Sequence, residues 1–423
     1  MSLSEFLTGK SSVEEFRSNY GDKYTNWCLP ENRIESFTRV YDTRMRCGEL
    51  DHWLAGKVIA DYMKLTEEQK AWYALLFGFS YRNHWAMIVL QLFPEIWKTD
   101  PEKIREWYND SPKNNNFGAW RRANFAKDTK WNVRKFPDFI ESVQKWLDGE
   151  SLLTKLSEIS SVGDKNKNFD NLNTSLITNM HGIGRMTSWL TIQTLYEFFN
   201  FDVDKWDLQL KDEGCWSQYD ALCYLFNRLD LAGAEKYWDG KKWSIRENKK
   251  TPESLKIMNE NTEKLMDYMT NRLDYHVDIY NVESCLCEYR KTGYGPRKLK
   301  EFTFWTYNEM IYQFEDLVNL WETHKPNIDW TGYVLAYATK GDVVTKYGYD
   351  KSYFRVLHDT GLNLNTHHFY ADEPNAFDLL DIPKPEECPR VKLYDDMVNS
   401  LDQEVFKTYK EKYDPLKHLR QKK

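Results

Sequence analysis

Apolar residues recur along much of this chain at the three- and four-residue spacing of an amphipathic helix. Trp72, Leu75, Leu76 and Phe79 follow that period, and Thr66 with Gln69 just ahead of them forms a capping-box pattern. Trp85, Ile88, Val89 and Leu92 repeat the spacing and stop at Pro94. Between the two runs, Phe77-Gly78-Phe79-Ser80 predicts a break between packed helices. Pro137 and Gly149 bracket a further helix that carries Phe139, Ile140, Val143, Trp146 and Leu147.

The stretch Ser161 to Asn171 is rich in Asn, Asp and Lys, and its composition predicts a linker or exposed loop. Thr251-Pro252-Glu253 starts another helix, with Leu255, Met258, Leu265, Met266, Met269 and Leu273 as its buried stripe. Ile311, Phe314, Leu317, Val318 and Trp321 mark one more. Alternating β-branched and aromatic positions over 331–348 suit a short hairpin. Gly361 to Pro389 reads as loop, followed by a helix from about Lys392 and a basic tail of Lys417, Arg420, Lys422 and Lys423. The expected class is mainly α, in three parts. These are an N-terminal helical subdomain over 1–160, a central one over 172–330, and an irregular C-terminal extension over 331–423.

Composition narrows the possibilities. The 17 Trp and 27 Tyr supply ample core, and most are expected to fill it. A formal net charge of −7 argues against a surface coated in positive charge for non-specific binding of nucleic acid. Seven cysteines, an odd number in a long chain, do not suggest a disulfide framework. The N-terminus lacks the basic and apolar regions of a signal peptide, and no apolar run approaches the ~18 residues of a membrane span. A soluble protein of a reducing cytoplasm is expected.

The sharpest local signal is Met180-His181-Gly182-Ile183-Gly184-Arg185-Met186-Thr187, between an apolar helix and the run Trp189 to Phe199. A tight Gly-x-Gly turn leaves free N–H groups at the second helix's start, where they and the helix dipole suit a phosphate. Arg185 adds charge at the same place, so 180–199 reads as a helix-hairpin-helix gripping DNA through His181, Gly182, Gly184 and Arg185. An ordinary corner between helices fits the same residues. About twenty residues on, Asp202 and Asp204 stand where glycosylases built on such hairpins carry their catalytic acid, and Asp204 matches best, though a solvated loop with a helix cap fits the same spacing equally well. Lyase members carry a lysine where this chain has Met186, so amine-mediated strand cleavage is not expected.

Two basic clusters offset the acidic balance locally. Residues 121–135 carry Arg121, Arg122, Lys127, Lys130, Arg134 and Lys135 against Asp128 alone. Residues 290–300 carry Arg290, Lys291, Arg297, Lys298 and Lys300 with no acid. Trp131 and Tyr294 among them could stack on bases. Other motifs fail: Gly9-Lys10-Ser11 lacks the upstream glycine of a P-loop, and Cys285-Leu286-Cys287 and His367-His368 lack zinc spacing.

Four ordered segments resemble the bacteriophage α-glutamyl/putrescinyl thymine pyrophosphorylases, the amino acid:DNA transferases that share a helical core with DNA glycosylases. They are Arg33 to Phe93, Asp128-Thr129 with Lys135-Phe136-Pro137, the hairpin with Asp207, Gly214 and Ser217 after it, and Glu283 to Lys291. Beyond Lys291 the family's Tyr-Pro-Gly-like turn is replaced by Gly293-Tyr294-Gly295-Pro296. The resemblance implies a late step of thymine hypermodification that shields a viral genome from host restriction. An amino acid or polyamine would displace phosphate or pyrophosphate from an activated 5-hydroxymethyluracil in double-stranded DNA, flipped out of the stack.

On that reading Arg290, Lys291 and Arg297 would steady the leaving group, and Arg297 would also contact DNA. Asp204 or Asp207 would take the amine's proton, and Arg121 or Arg122 would hold a substrate carboxylate. No cofactor is expected beyond a magnesium ion that would accompany the leaving phosphate. The setting would be the host cytoplasm, without membrane attachment and with a DNA base kinase upstream. A glycosylase-like excision enzyme and a non-catalytic DNA-binding protein are the alternatives.

Overall fold

The computed structural model describes residues 12–20, 26, 28–46, 52–80, 82–110, 136–212, 214–233, 236–238, 243–245, 250–292, 318–319, 321–322, 328–339 and 389–414. The N-terminal helices are α1 (Val13–Tyr20), α2 (Arg33–Arg46), α3 (His52–Tyr62), α4 (Glu67–Ser80), α5 (Asn83–Leu92) and α6 (Pro101–Asp110). Then come α7 (Phe136–Leu147), α8 (Leu152–Ile159), α9 (Lys165–Asn179), α10 (Arg185–Phe199) and α11 (Trp216–Leu225). An antiparallel pair of short strands, β1 (Lys236–Trp238) and β2 (Trp243–Ile245), precedes α12 (Pro252–Arg272) and α13 (Ile279–Thr292). The helices α14 (Thr331–Thr339), α15 (Pro389–Asn399) and α16 (Gln403–Lys412) follow. The class is mainly α, as the periodicity predicts.

Helices α4 and α10 form the centre. Every residue of α4 from Ala71 to Ser80 is buried, as are Ser188 to Leu195 of α10. A helix apolar on all sides must be surrounded. The α4 start is set locally: Thr66 N donates to Gln69 Oε1 at 2.9 Å and Gln69 N to Thr66 Oγ1 at 3.3 Å. Glu68 does the same work for a neighbour. Its carboxylate accepts from Ser151 Oγ and from the Leu152 and Leu153 N–H groups, where α8 begins. Thr251 caps α12 by accepting from Ser254 N, with Pro252 at the first turn. Gly149, at φ +85°, ends the α7 segment as expected.

Three expectations are corrected. Phe77 to Ser80 lies within α4, which runs to Ser80, and the next helix starts at Asn83. Gly78 is there for close packing: a Cβ would stand 1.9 Å from Thr191 Oγ1 and 2.8 Å from Thr191 N on α10. Ser161 to Asn171 is not a linker either. Asp164 caps α9 through Lys167 N, and most of the stretch is helical. Its buried Asn168 is satisfied across the fold, accepting from Gly163 N and donating to the Asp202 carbonyl. That is why a polar sequence can be helical here.

The third concerns 331–348, where 331–339 is helix α14 rather than strand. Asp329 Oδ1 accepts from Thr331 N at its start, and Tyr333 to Ala336 are buried on every side against α3 and α5. Alternation is uninformative in an element buried all round. Residues 340–348 and 361–388 lie outside the described residues, as do 311–317. Among the described residues no helix is long and apolar enough to cross a membrane. Most described tryptophans fill the core, Trp53, Trp72 and Trp189 almost completely.

Candidate active site

The turn between α9 and α10 takes the form the sequence suggests. Met180 and Ile183 point into the core, while His181, Gly182 and Gly184 are exposed. His181 N donates to Ser142 Oγ of α7 at 2.8 Å, which holds the turn against a second helix. Gly182 sits at φ +83°, a conformation that disfavours a side chain. Gly184 differs. Its φ of −122° suits any residue, and no described atom lies within 4 Å of where its Cβ would stand.

The chain's own packing therefore does not require glycine at 184. A bare backbone there leaves the space beside the first N–H groups of α10 open. Thr187 Oγ1 fixes the geometry, accepting from Gly184 N at 2.7 Å and donating to the Gly184 carbonyl at 2.9 Å. Gly184→Ala is expected to shift stability by no more than about 1 kcal/mol. It should weaken DNA binding several-fold in a salt-controlled titration, and unchanged binding would remove the phosphate role of this turn.

Arg185 faces inward. Its Nη2 donates to Glu283 Oε1 at 3.0 Å and to Cys215 Sγ at 3.1 Å, with side chains 14 % and 9 % exposed for Arg185 and Glu283. Gln218 Nε2 donates to the same Glu283 oxygen. Burial pulls the Arg185 pKa down, but nearby Cys215 and Glu283 outweigh it and leave it raised. Burial also pushes the Cys215 thiol up to about 12, so it stays protonated and is no nucleophile at neutral pH.

The return segment from Phe201 to Cys215 runs back alongside α9 and α10. Asp204 stands at the far end, where its N–H donates to the carbonyl of Lys165, the first residue of α9. The turn lies beyond the other end of that 15-residue helix, about 21 Å away at helical rise. Asp207 comes next. Its Oδ2 pairs at 3.2 Å with Lys205 Nζ, a side chain 1 % exposed that also reaches Asp170 at 3.0 Å. Its other oxygen accepts from Gln209 N. Leu208 and Gln209 are both left-handed, at φ 54° and 53°, a strained pair for residues with side chains.

Asp212 lies at the near end. Its Oδ1 accepts from Gly214 N at 2.6 Å, and its carbonyl accepts from Lys250 Nζ at 2.6 Å. Lys250 also donates to the Cys215 carbonyl and lies over the Trp216 ring at 4.3 Å. Burial lowers its pKa. Glu283, Cys215, Gln218, Asp212 and Lys250 thus gather around Arg185, and none of them was a candidate from the sequence. Glu283 and Gly214 lie in segments quoted for the family resemblance, which is the one signal that could have pointed here. Nothing in the sequence marks Lys250.

Arg290 and Lys291 lie in the last turn of α13, about two helical turns beyond Glu283. Arg121, Arg122 and Arg297 lie outside the described residues. Among the described residues, no group of three His, Cys, Asp or Glu side chains is placed to hold a metal ion. A family model described as amino acid:DNA transferase matches residues 55–298. That span covers every helix from most of α3 to α13. No curated protein and no solved structure matches the chain.

Proposed function

The chain belongs to the amino acid:DNA transferase family, a model of which matches more than half of it, and on that premise we propose a specific substitution reaction. The family function is transfer of an amino acid onto DNA. The proposed acceptor is 5-hydroxymethyluracil in viral duplex DNA, activated as its phosphate or pyrophosphate ester by a preceding DNA base kinase. The donor nitrogen attacks the methylene carbon, and the carbon–oxygen bond breaks with its electron pair leaving on the phosphate. One proton leaves the nitrogen. The product is an N-linked thymine derivative that would shield the genome from host restriction.

Support comes from the way the pieces are joined. The Arg185–Glu283 pair ties the turn with the exposed Gly182 and Gly184 to α13, the helix whose last turn carries Arg290 and Lys291. A DNA-gripping turn and the cations for a departing phosphate are therefore carried on one packed unit. Developing phosphate charge needs such cations as the ester bond breaks. Arg297, Arg121 and Arg122 keep the roles of leaving-group and DNA contact and of carboxylate fork. Magnesium would assist only at the leaving phosphate.

Of the two acids proposed as base, the surroundings favour Asp204. Both Asp207 oxygens are engaged, whereas Asp204 Oδ1 has no hydrogen-bond partner among the described residues. The test is to incubate the protein with DNA bearing the activated base and a panel of amines, then digest and weigh the nucleosides. A base heavier than 5-hydroxymethyluracil, on an intact glycosidic bond, is expected. Replacing Arg290 and Lys291 together by glutamine should lower kcat by about 100-fold with the amine KM little changed. Abasic sites would point to excision instead, and no mass change with any amine would remove the transfer reading.

A further inference from the structure

The start of α9 holds the segment that carries Asp204. The Lys165 carbonyl accepts from the Asp204 N–H at 3.1 Å, and Asn168 Nδ2 donates to the Asp202 carbonyl at 3.0 Å. The Lys205 side chain, 1 % exposed, adds a third anchor. Its three N–H donors meet three oxygens: Asn166 Oδ1 at 3.0 Å, Asp170 Oδ1 at 3.0 Å and Asp207 Oδ2 at 3.2 Å. Lys165, Asn166, Asn168 and Asp170 thus engage residues 202, 204 and 205 from one end of one helix. The polar composition of this stretch, which serves no linker, supplies those contacts.

Stability alone does not call for a lysine at 205. Burying an ammonium is unfavourable, and a well-packed apolar side chain often serves stability as well as a buried ion pair does. Asp170 and Asp207 keep 42 % and 18 % exposure, so neither acid depends on this partner to be tolerated. With its three donors engaged, the ammonium is not available to a substrate. What the contacts supply is position. Three fixed acceptors set the place of Lys205, and with it that of its covalent neighbour Asp204. Asp204 Oδ1 has no hydrogen-bond partner among the described residues, whereas Asp207 is taken up by Lys205. Burial raises the Asp204 pKa, and Lys165 and the Lys205 N–H offset this only in part. A carboxylate raised in this way is a better proton acceptor than an exposed one.

We propose that Lys205 is a positioning residue for the transfer reaction: pinned by Asn166, Asp170 and Asp207, it withdraws Asp207 from proton transfer and fixes Asp204 to receive the proton of the donor amine. The assignment rests on the transfer reading above, with Asp204 as its base. The amine N–H bond breaks toward the Asp204 carboxylate as the carbon–nitrogen bond forms, and the phosphate leaves with the electron pair of the carbon–oxygen bond. Lys205 itself exchanges no proton.

The test uses the full-length protein and DNA bearing 5-hydroxymethyluracil as its phosphate or pyrophosphate ester. The donor is whichever of glycine, serine, glutamate and 1,4-diaminobutane the wild type transfers. Lys205→Met should lower kcat about tenfold or more, with KM for amine and DNA changed by less than about twofold. Asn166→Ala with Asp170→Ala keeps Lys205, Asp204 and Asp207 and should give the same split. Asp170→Asn alone keeps an oxygen for Lys205 and should retain most of the wild-type kcat. Amide hydrogen exchange over residues 201–210 should quicken in the first two variants, with helicity by circular dichroism unchanged. Full kcat in either folded variant, or a KM change that accounts for the whole loss, overturns the positioning role and leaves the transfer reading standing. If the wild type transfers none of the four donors, the transfer reading falls, and quickened exchange alone would mark the Lys205 contacts as structural only.

Discussion

Glu283→Ala is expected to destabilise the protein by about 3 kcal/mol, read as a lower denaturation midpoint at unchanged slope. The wild-type carboxylate accepts from Arg185 and from Gln218, and both donors are largely buried. Alanine would leave the guanidinium without its ion-pair partner, with Asp212 as the remaining nearby acid, and would take away the Gln218 amide's acceptor on Glu283 as well. Breaking a buried pair from one side is costly for that reason, whereas removing both partners is milder. The double substitution Arg185→Met with Glu283→Met should therefore lose less than the sum of the two single changes. Strict additivity would show that the pair is not coupled.

The same variant reports on function. Glu283 joins the turn to α13, so Glu283→Gln, which keeps a hydrogen-bond acceptor but not the charge, should fold better than alanine. It should still lose transfer activity relative to the wild type. Retention of full activity in Glu283→Ala at a temperature where it is folded would show that the join is structural only.

Gly78→Ala should cost about 3 kcal/mol or more. The added methyl would meet the Thr191 hydroxyl and also the Thr191 backbone nitrogen, so a rotamer change cannot relieve it. The two central helices would have to part, and every residue between them would lose packing. Thr191→Ala in the same background should restore only part of the loss, because the backbone contact remains. A Gly78→Ala protein with the wild-type midpoint would mean that α4 and α10 do not cross this closely.

Much of the helical frame was legible because its causes are local. The Thr66–Gln69 cap, the Thr251-Pro252 start and the Gly149 stop each involve residues within a few positions of one another. The family resemblance, carried by ordered motifs over residues 30–300, was legible too, and the family match over 55–298 bears it out. Where the reading failed, a local signal met a long-range answer. The polar run after Ser161 turns helical behind the Asp164 cap, and its buried Asn168 finds part of its hydrogen bonding across the fold at the Asp202 carbonyl. Gly78 looked like a break because a helix break and a helix crossing both call for glycine.

The turn at 180–184 shows where the division lies. The sequence by itself determined that a Gly-x-Gly turn joins two helices there, since Gly182's left-handed backbone and the Thr187 cap are settled within the segment. Only the tertiary structure decided what its residues do. It turns Arg185 inward to Glu283, 98 positions along the chain, leaves Gly184 bare, and brings Asp212 rather than Asp204 back to the turn's side. Backbone conformation follows from neighbours in sequence, but the partner of a buried charge depends on which helices pack together, and no period in the sequence encodes that.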